Sequence, residues 1–399
     1  MIHLFLNGAA ASAGGGLTYL RNVIPQLARR GDVRATVVVD ETLRREFQET
    51  SNVSFVNFVF SSNSALRFVQ EQTRLGLLIA RSGADVLISA GNFALRNSPV
   101  PQILLSRNSL YTSQDFYRDL RQRRNYGLFL DTWLRGVVAR KSIHWADRTV
   151  APSHAFAQEL SRWAHHTIIT IQHGFDADAF FSDTAPLPEH ARRLLTPHEG
   201  AIRLLFVSHY NYYRNFETLL RAIPILRNRL APRKVEVVFT CKFRSGENLG
   251  TYSSDRVAQL IEESDVTSSV VELGAVPYSK LHHVYRACDV YVTPAYAESF
   301  AHPLVEAMAS GLPIVASDTS VHREICGPAA LYFSCFSPEE LADAVVSATA
   351  ERESERLSEE GLRRAKMYSW EVHVSKLLGL AEELLEQKKV ENRQADIKE

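Results

Sequence analysis

The chain has 399 residues, 45% of them hydrophobic and 23% charged. That is ample for two or three cored domains and unlike a collagen, a coiled coil or a disordered chain. Lys+Arg and Asp+Glu both number 45, so the net charge is zero, and the basic excess that marks a nucleic-acid binder is missing.

In chain order, the N-terminus Met1–Gly8 reads as a first buried strand entering a Gly-rich loop. Its apolar run is too short for a secretory leader. Short apolar runs then alternate with helical-period stretches. Expected strands are Ile2–Leu6, Arg34–Val39, Val53–Phe58, Val86–Ser89, Gln102–Ser106, Thr149–Ala151 and Thr167–Ile171. Helices are expected near 16–30, 64–82, 115–145 and 153–163. The pattern restarts with strands at Arg203–Val207, Val235–Cys241, Ser269–Glu272, Val290–Thr293, Ile314–Ala316 and Leu331–Phe333. Helices near 215–230, 254–263, 279–286, 303–310 and 338–350 separate them. Continuous apolar strands alternating with helices predict parallel sheets covered on both faces. Ala185-Pro186-Leu187-Pro188 and the polar stretch to Gly200 are the expected linker between two α/β domains. Trp370, Val374, Leu377, Leu378 and Leu385 give the charged tail an apolar helical stripe. Cys241, Cys288, Cys326 and Cys335 form no CxxC pair and read as free thiols of a reducing cytoplasm. No apolar run approaches the roughly 20 residues of a membrane span.

The most informative stretch is Glu298-Ser299-Phe300-Ala301-His302-Pro303-Leu304-Val305-Glu306, continuing to Asp318. Strand Val290–Thr293 should end in a loop, with a helix starting near Pro303, because proline is pre-organised for the first helical turn. Backbone N–H groups around Phe300–His302 would then form an anion site at the edge where open α/β sheets bind ligands. Glu298 precedes that helix and Glu306 lies one turn inside it. Carboxylates on either side of an anion site suit a diphosphate flanked by hydroxyl-rich sugars. The plain alternative is two surface glutamates on an ordinary helix.

This run resembles the E-x7-E signature of retaining GT-B enzymes of glycosyltransferase family 4, also described as glycosyl transferases group 1. The resemblance is strongest over 200–335 and clear at 150–176. It implies an α/β fold of two Rossmann-like, doubly wound domains facing a central cleft, with a C-terminal helix crossing back to the N-terminal domain. The implied boundaries are 1–180 for the acceptor-side domain, 181–370 for the nucleotide-sugar domain, and 371–399 for the crossing helix and a frayed tail.

Other segments extend the resemblance. His209-Tyr210-Asn211-Tyr212-Tyr213-Arg214 matches a basic loop in which the family holds the diphosphate with Arg and, five residues on, Lys. Here His209 and Arg214 stand in those places. Gly274-Ala275-Val276-Pro277 resembles the segment lining the nucleobase, which places Val276 there. Ile171-Gln172-His173-Gly174-Phe175-Asp176 resembles a turn that ends the N-terminal domain, Gly174 supplying the sharp bend. Gly14-Gly15-Gly16 opens a helix and lacks the G-x-G-x-x-G of a dinucleotide binder. In the family such a loop approaches donor phosphates and acceptor, which assigns Gly15 and Gly16. Several relatives carry His near the transferred sugar where this chain has Arg107-Asn108.

The expected activity is therefore retaining, metal-independent transfer of a hexosyl unit from a UDP- or GDP-sugar to a carbohydrate, lipid-linked or small-molecule acceptor. Polysaccharide, glycolipid and glycoconjugate synthesis all fit. Glu298, Arg214 and Arg107 are the catalytic candidates. Gly15, Gly16, His209, Val276, Phe300, Ala301, His302 and Glu306 join Glu298 and Arg214 as donor-binding candidates, with no metal site and no cofactor. A GT-B sugar-nucleotide epimerase and a non-catalytic sugar-nucleotide binder are the alternatives. Residues 1–180 hold 20 basic and 14 acidic residues, and residues 181–399 hold 25 and 31. Residues 115–148 mix arginines with aromatic and aliphatic side chains. They read either as an ordinary helix covering the sheet or as a peripheral membrane contact of a cytoplasmic protein.

Overall fold

A computed structural model describes residues 1–11, 14–56, 58–59, 61–196, 200–244 and 252–396. The last three residues of the expected crossing helix and frayed tail, 397–399, and part of the expected linker, 197–199, lie outside the described residues. The chain forms two compact units. The first holds Met1–Thr112, Leu130–Gly174 and Ser369–Glu399, and the second holds Ser113–Phe129 and Phe175–Tyr368.

The first unit is built on seven parallel strands: β1 (Ile2–Asn7), β2 (Val33–Val38), β3 (Val53–Phe55), β4 (Val86–Ser89), β5 (Gln102–Leu105), β6 (Arg148–Ala151) and β7 (Ile169–Thr170). Their order is β3-β2-β1-β4-β5-β6-β7. The pleat sends alternate side chains to opposite faces. Leu4, Leu6, Ala35, Val37, Ile88 and Ile103 enter one core, while Phe5, Val38 and Leu87 enter another with Leu75 and Ile79. Both faces are covered, which is why these strands read as unbroken apolar runs.

The expected C-terminal helix forms as Trp370–Asp396 and packs on the first unit. Trp370, Val374, Leu377, Ala381 and Leu384 join the core of β1 and β2. The Trp370 ring lies against Tyr19 and His173, with centroids 5.7 and 5.4 Å away. Gly174 is explained here. Its φ is not among the positive ones, so the sharp-bend reading gives way to a different cause. A Cβ at Gly174 would overlap the backbone of Ser369 and Trp370, so glycine is required by close approach.

The second unit has six parallel strands: β8 (Ile202–Phe206), β9 (Val235–Phe239), β10 (Val270–Glu272), β11 (Val290–Thr293), β12 (Ile314–Ser317) and β13 (Ala330–Phe333). Their order is β10-β9-β8-β11-β12-β13. All expected strands form. The expected helices differ in two places. The stretch near 64–82 carries a π-helical turn, Glu71–Leu75, at its centre. The stretch near 115–145 breaks into Gln114–Gln122 and Tyr126–Trp145 around Arg124, whose φ is +54°.

Candidate functional site

Strand order reverses between β8 and β11. In open α/β sheets ligands bind outside the carboxyl ends of the strands at such a reversal. Arg214 follows β8 in a 3₁₀ turn, Tyr212–Arg214, and Glu298 follows β11. The two side chains form an ion pair, 17% and 9% exposed.

Backbone and side-chain bonds hold the two loops together. The Tyr296 N–H donates to the Tyr213 carbonyl at 3.0 Å. Asn215 has φ +55°, a conformation that asparagine tolerates better than most residues. Its Nδ2 donates to the carbonyls of Pro294 (3.2 Å) and Cys335 (2.6 Å), and Thr218 donates to its Oδ1 at 2.9 Å. A second brace comes from the Gln114–Gln122 region. Arg123 binds Asp119 at 2.7 Å and Glu217 at 2.5 Å, and its guanidinium lies 4.2 Å from the Tyr212 ring centroid. The Tyr296 hydroxyl donates to Asp119 at 2.8 Å. The Arg214–Glu298 pair is thereby fixed at both ends.

His209 lies just ahead of this turn and is exposed. Partial desolvation and the charge of Arg214 lower its pKa, so the imidazole is neutral near pH 7 and the fixed positive charge here is that of Arg214. Val276 is half-buried beyond β10, two residues after Gly274, which has φ +76°.

The helix expected near Pro303 spans His302–Ala309, with Pro303 in its first turn. Ala301 precedes it at φ +63°, a strained conformation for a residue with a Cβ. Phe300 is buried between His302 and Tyr368, with centroids 4.9 and 5.5 Å away. Glu306 is 4% exposed and accepts a 2.8 Å hydrogen bond from the Tyr285 hydroxyl. Burial pushes its pKa up to about 7, opposed by that bond. Burial and the neighbouring carboxylate raise Tyr285 well above its ordinary value, so the phenol keeps its proton and donates. Asn215, Tyr285, Asp119 and Arg123 were not legible as parts of this site. Each looks like an ordinary helix or loop residue, and only packing brings it here.

Gly15, Gly16 and Arg107 lie in the first unit, at its own strand reversal between β1 and β4. The Arg107 guanidinium donates to the carbonyls of Ala90 and, at 3.5 Å, Gly15, and lies 4.7 Å from the Tyr19 ring centroid. Burial lowers its pKa to about 10, which leaves it charged at neutral pH. A Cβ on Gly16 would come within 3.1 Å of the Ala11 Cβ, whereas one on Gly15 would meet nothing within 4 Å. A side chain would be crowded at Gly16 and not at Gly15.

Residues 13–179 match the family described as Glycosyltransferase Family 4, and residues 189–364 match Glycosyl transferases group 1. The chain belongs to glycosyltransferase family 4. A D-inositol 3-phosphate glycosyltransferase of Corynebacterium glutamicum is 26% identical over 232 residues, 56% of this chain and 54% of that protein. The chain thus aligns with about half the length of this curated relative. Among solved structures, the sucrose-phosphate synthase of Thermosynechococcus elongatus superposes with a TM-score of 0.76 at 17% identity, covering 97% of this chain and all of that one. HepE of Anabaena, solved with UDP-glucose, gives 0.71 at 15% identity, covering 96% of this chain and all of that one. The family 4 chain has the two-domain GT-B fold.

Proposed function

We propose that this family 4 chain moves a glycosyl unit from a nucleotide diphosphate sugar to an acceptor hydroxyl, with retention at the anomeric carbon. The observation that carries the reading is the Arg214–Glu298 pair at the β8/β11 reversal, beside the helix bearing Glu306. The Arg214 guanidinium suits a diphosphate, which it can bind through two parallel hydrogen bonds. As the bond from the anomeric carbon to the phosphate oxygen breaks, negative charge grows on the departing diphosphate. A fixed cation there stabilises that charge more in the transition state than in the ground state. The acceptor oxygen attacks from the same face, and its proton passes to the departing phosphate oxygen.

Glu298 accepts hydroxyls of the sugar, so donor binding exchanges part of its bond to Arg214 for bonds to the ligand. Glu306 accepts ribose hydroxyls. His302 contacts sugar or phosphate, Val276 lines the base, Gly15 and Gly16 approach the donor phosphates and the acceptor, and Arg107 stands near the transferred sugar, as the resemblance implies. HepE was solved with UDP-glucose, which makes UDP-sugars the first donors to try, with GDP-sugars beside them.

Calorimetric titration and donor-hydrolysis assays with both series test the reading. One donor should bind and release nucleotide slowly without acceptor. Arg214→Ala should lower kcat/KM by about 30- to 1,000-fold, the loss of about 2–4 kcal/mol expected for one preorganised contact. Binding without turnover would identify a sensor, and a changed sugar without released nucleotide would identify an epimerase.

A further inference from the structure

The Tyr126–Trp145 helix does not sort its apolar residues to the buried side. Its buried residues are Thr132, Gly136, Ala139, Ser142 and Ile143, mostly small or polar. Four of its large apolar residues face outward instead: Leu130 is 54% exposed, Trp133 50%, Leu134 51% and Val137 38%. Positions three and four apart share one face of a helix, so these four form a single stripe within the first unit. A helix that only covered a sheet would bury such residues.

Charge is laid out along the same face. One turn beyond Val137 come Arg140 and Lys141, and then His144, all exposed. Asp131 is the one carboxylate between Leu130 and Trp145. It lies off the stripe and is bonded by Arg135 at 2.8 Å. Arg135 also donates to Ser64 at 2.8 Å. Elsewhere in 115–148, Arg118 is paired with Asp115 at 2.5 Å, Arg123 is held by Asp119 and Glu217, and Arg148 donates to Gln387. Arg140 and Lys141 make no ion pair among the described residues.

We propose that this face is a docking surface for an anionic lipid membrane. Leu130, Trp133, Leu134 and Val137 would enter the boundary between headgroups and acyl chains, where tryptophan is favoured. Arg140 and Lys141 would meet lipid phosphates. No described helix is long and apolar enough to cross a membrane, so the contact is peripheral and reversible. This inference stands apart from the glycosyl-transfer reading and survives or fails without it.

The test is flotation of the full chain with vesicles of equal parts phosphatidylcholine and phosphatidylglycerol, at low and high salt, beside pure phosphatidylcholine. Binding should need the anionic lipid and weaken with salt. A basic residue near such a surface is worth about fivefold in partitioning, so Arg140→Glu with Lys141→Glu should cut binding about twentyfold or more. Trp133→Ser with Leu134→Ser should also release the protein. These residues are exposed, so melting temperature and nucleotide titration should be unchanged in both variants. Absence of wild-type binding at low salt, or binding unaltered by both variants, overturns the proposal. So does a dimer in sedimentation that the apolar variant dissolves while vesicles capture nothing, because a second copy then covers the face.

Discussion

Glu306 carries opposite demands on one carboxyl. Its site is buried, which lifts the pKa from an ordinary 4.5 to about 7, while the proposed role of accepting hydrogen bonds from ribose hydroxyls calls for the ionised form. The pH consequence has a definite sign. Between pH 4.5 and 7 the unfolded chain has lost this proton and the folded chain retains it, so this group makes stability fall as pH rises through that window. Glu306→Gln removes the titration. The variant should gain about 2–3 kcal/mol over wild type above pH 7 and nothing below pH 4.5, measured by urea unfolding at several pH values. It should also bind nucleoside diphosphate more weakly, because the charged acceptor is gone. Stability and affinity moving in opposite directions is the signature of a group kept for function.

The last helix shows how one element is docked by shape and by protonation state together. His373 is 2% exposed, and burial lowers its pKa from 6.5 to about 4. The neutral ring bonds the Gln172 carbonyl at 2.8 Å through Nδ1 and the Tyr19 hydroxyl at 3.1 Å through Nε2. The carbonyl can only accept, so Nδ1 carries the proton and Nε2 accepts from Tyr19. The folded state disfavours protonation, so this contribution is complete above pH 6.5 and is lost as pH falls to about 4. The loss amounts to about 2–3 kcal/mol, and His373→Gln should flatten that part of the stability–pH profile. The same docking explains Gly174. Gly174→Ala drives a methyl into the backbone at Trp370 and should cost about 1–3 kcal/mol or more, seen as a lower melting temperature. The sequence showed this helix through its apolar stripe. It could not show that Gly174 serves a contact rather than a turn, because both uses look alike in one dimension.

At the scale of the whole molecule, the chain trades segments between its two units. Ser113–Phe129 packs in the second unit, and the chain returns to the first at Ser369. The first exchange is secured by Arg123 among Asp119, Glu217 and Tyr212. Its guanidinium is 10% exposed and the Glu217 carboxylate 8%. Removing one partner of a buried pair strands the other charge, at about 3–5 kcal/mol. Arg123→Ala should therefore lower unfolding stability by about that much and loosen donor binding through the Tyr212–Arg214 turn. Denaturant unfolding followed by calorimetry on the folded variant measures both.

Period and composition by themselves determined two α/β domains with parallel sheets covered on both faces, their strands and the apolar stripe of the last helix. These features depend on local alternation and on burial of both sheet faces, which leave a mark on every few residues. The Glu298–Glu306 run was legible for a related reason, since a helix start beside a strand end is a local device, whereas Arg214 was singled out through the resemblance to the family's basic loop. Only the tertiary structure decided that Arg214 and Glu298 pair across 84 residues, that Asn215 and Arg123 brace their loops, and that Tyr285 donates to Glu306. It also decided that the Tyr126–Trp145 helix turns Leu130, Trp133, Leu134 and Val137 outward. Each of these is a contact between positions distant in sequence, or a choice of which helix face meets the sheet. Neither is encoded in the spacing of neighbouring residues, because it is set by where the folded backbone brings other elements.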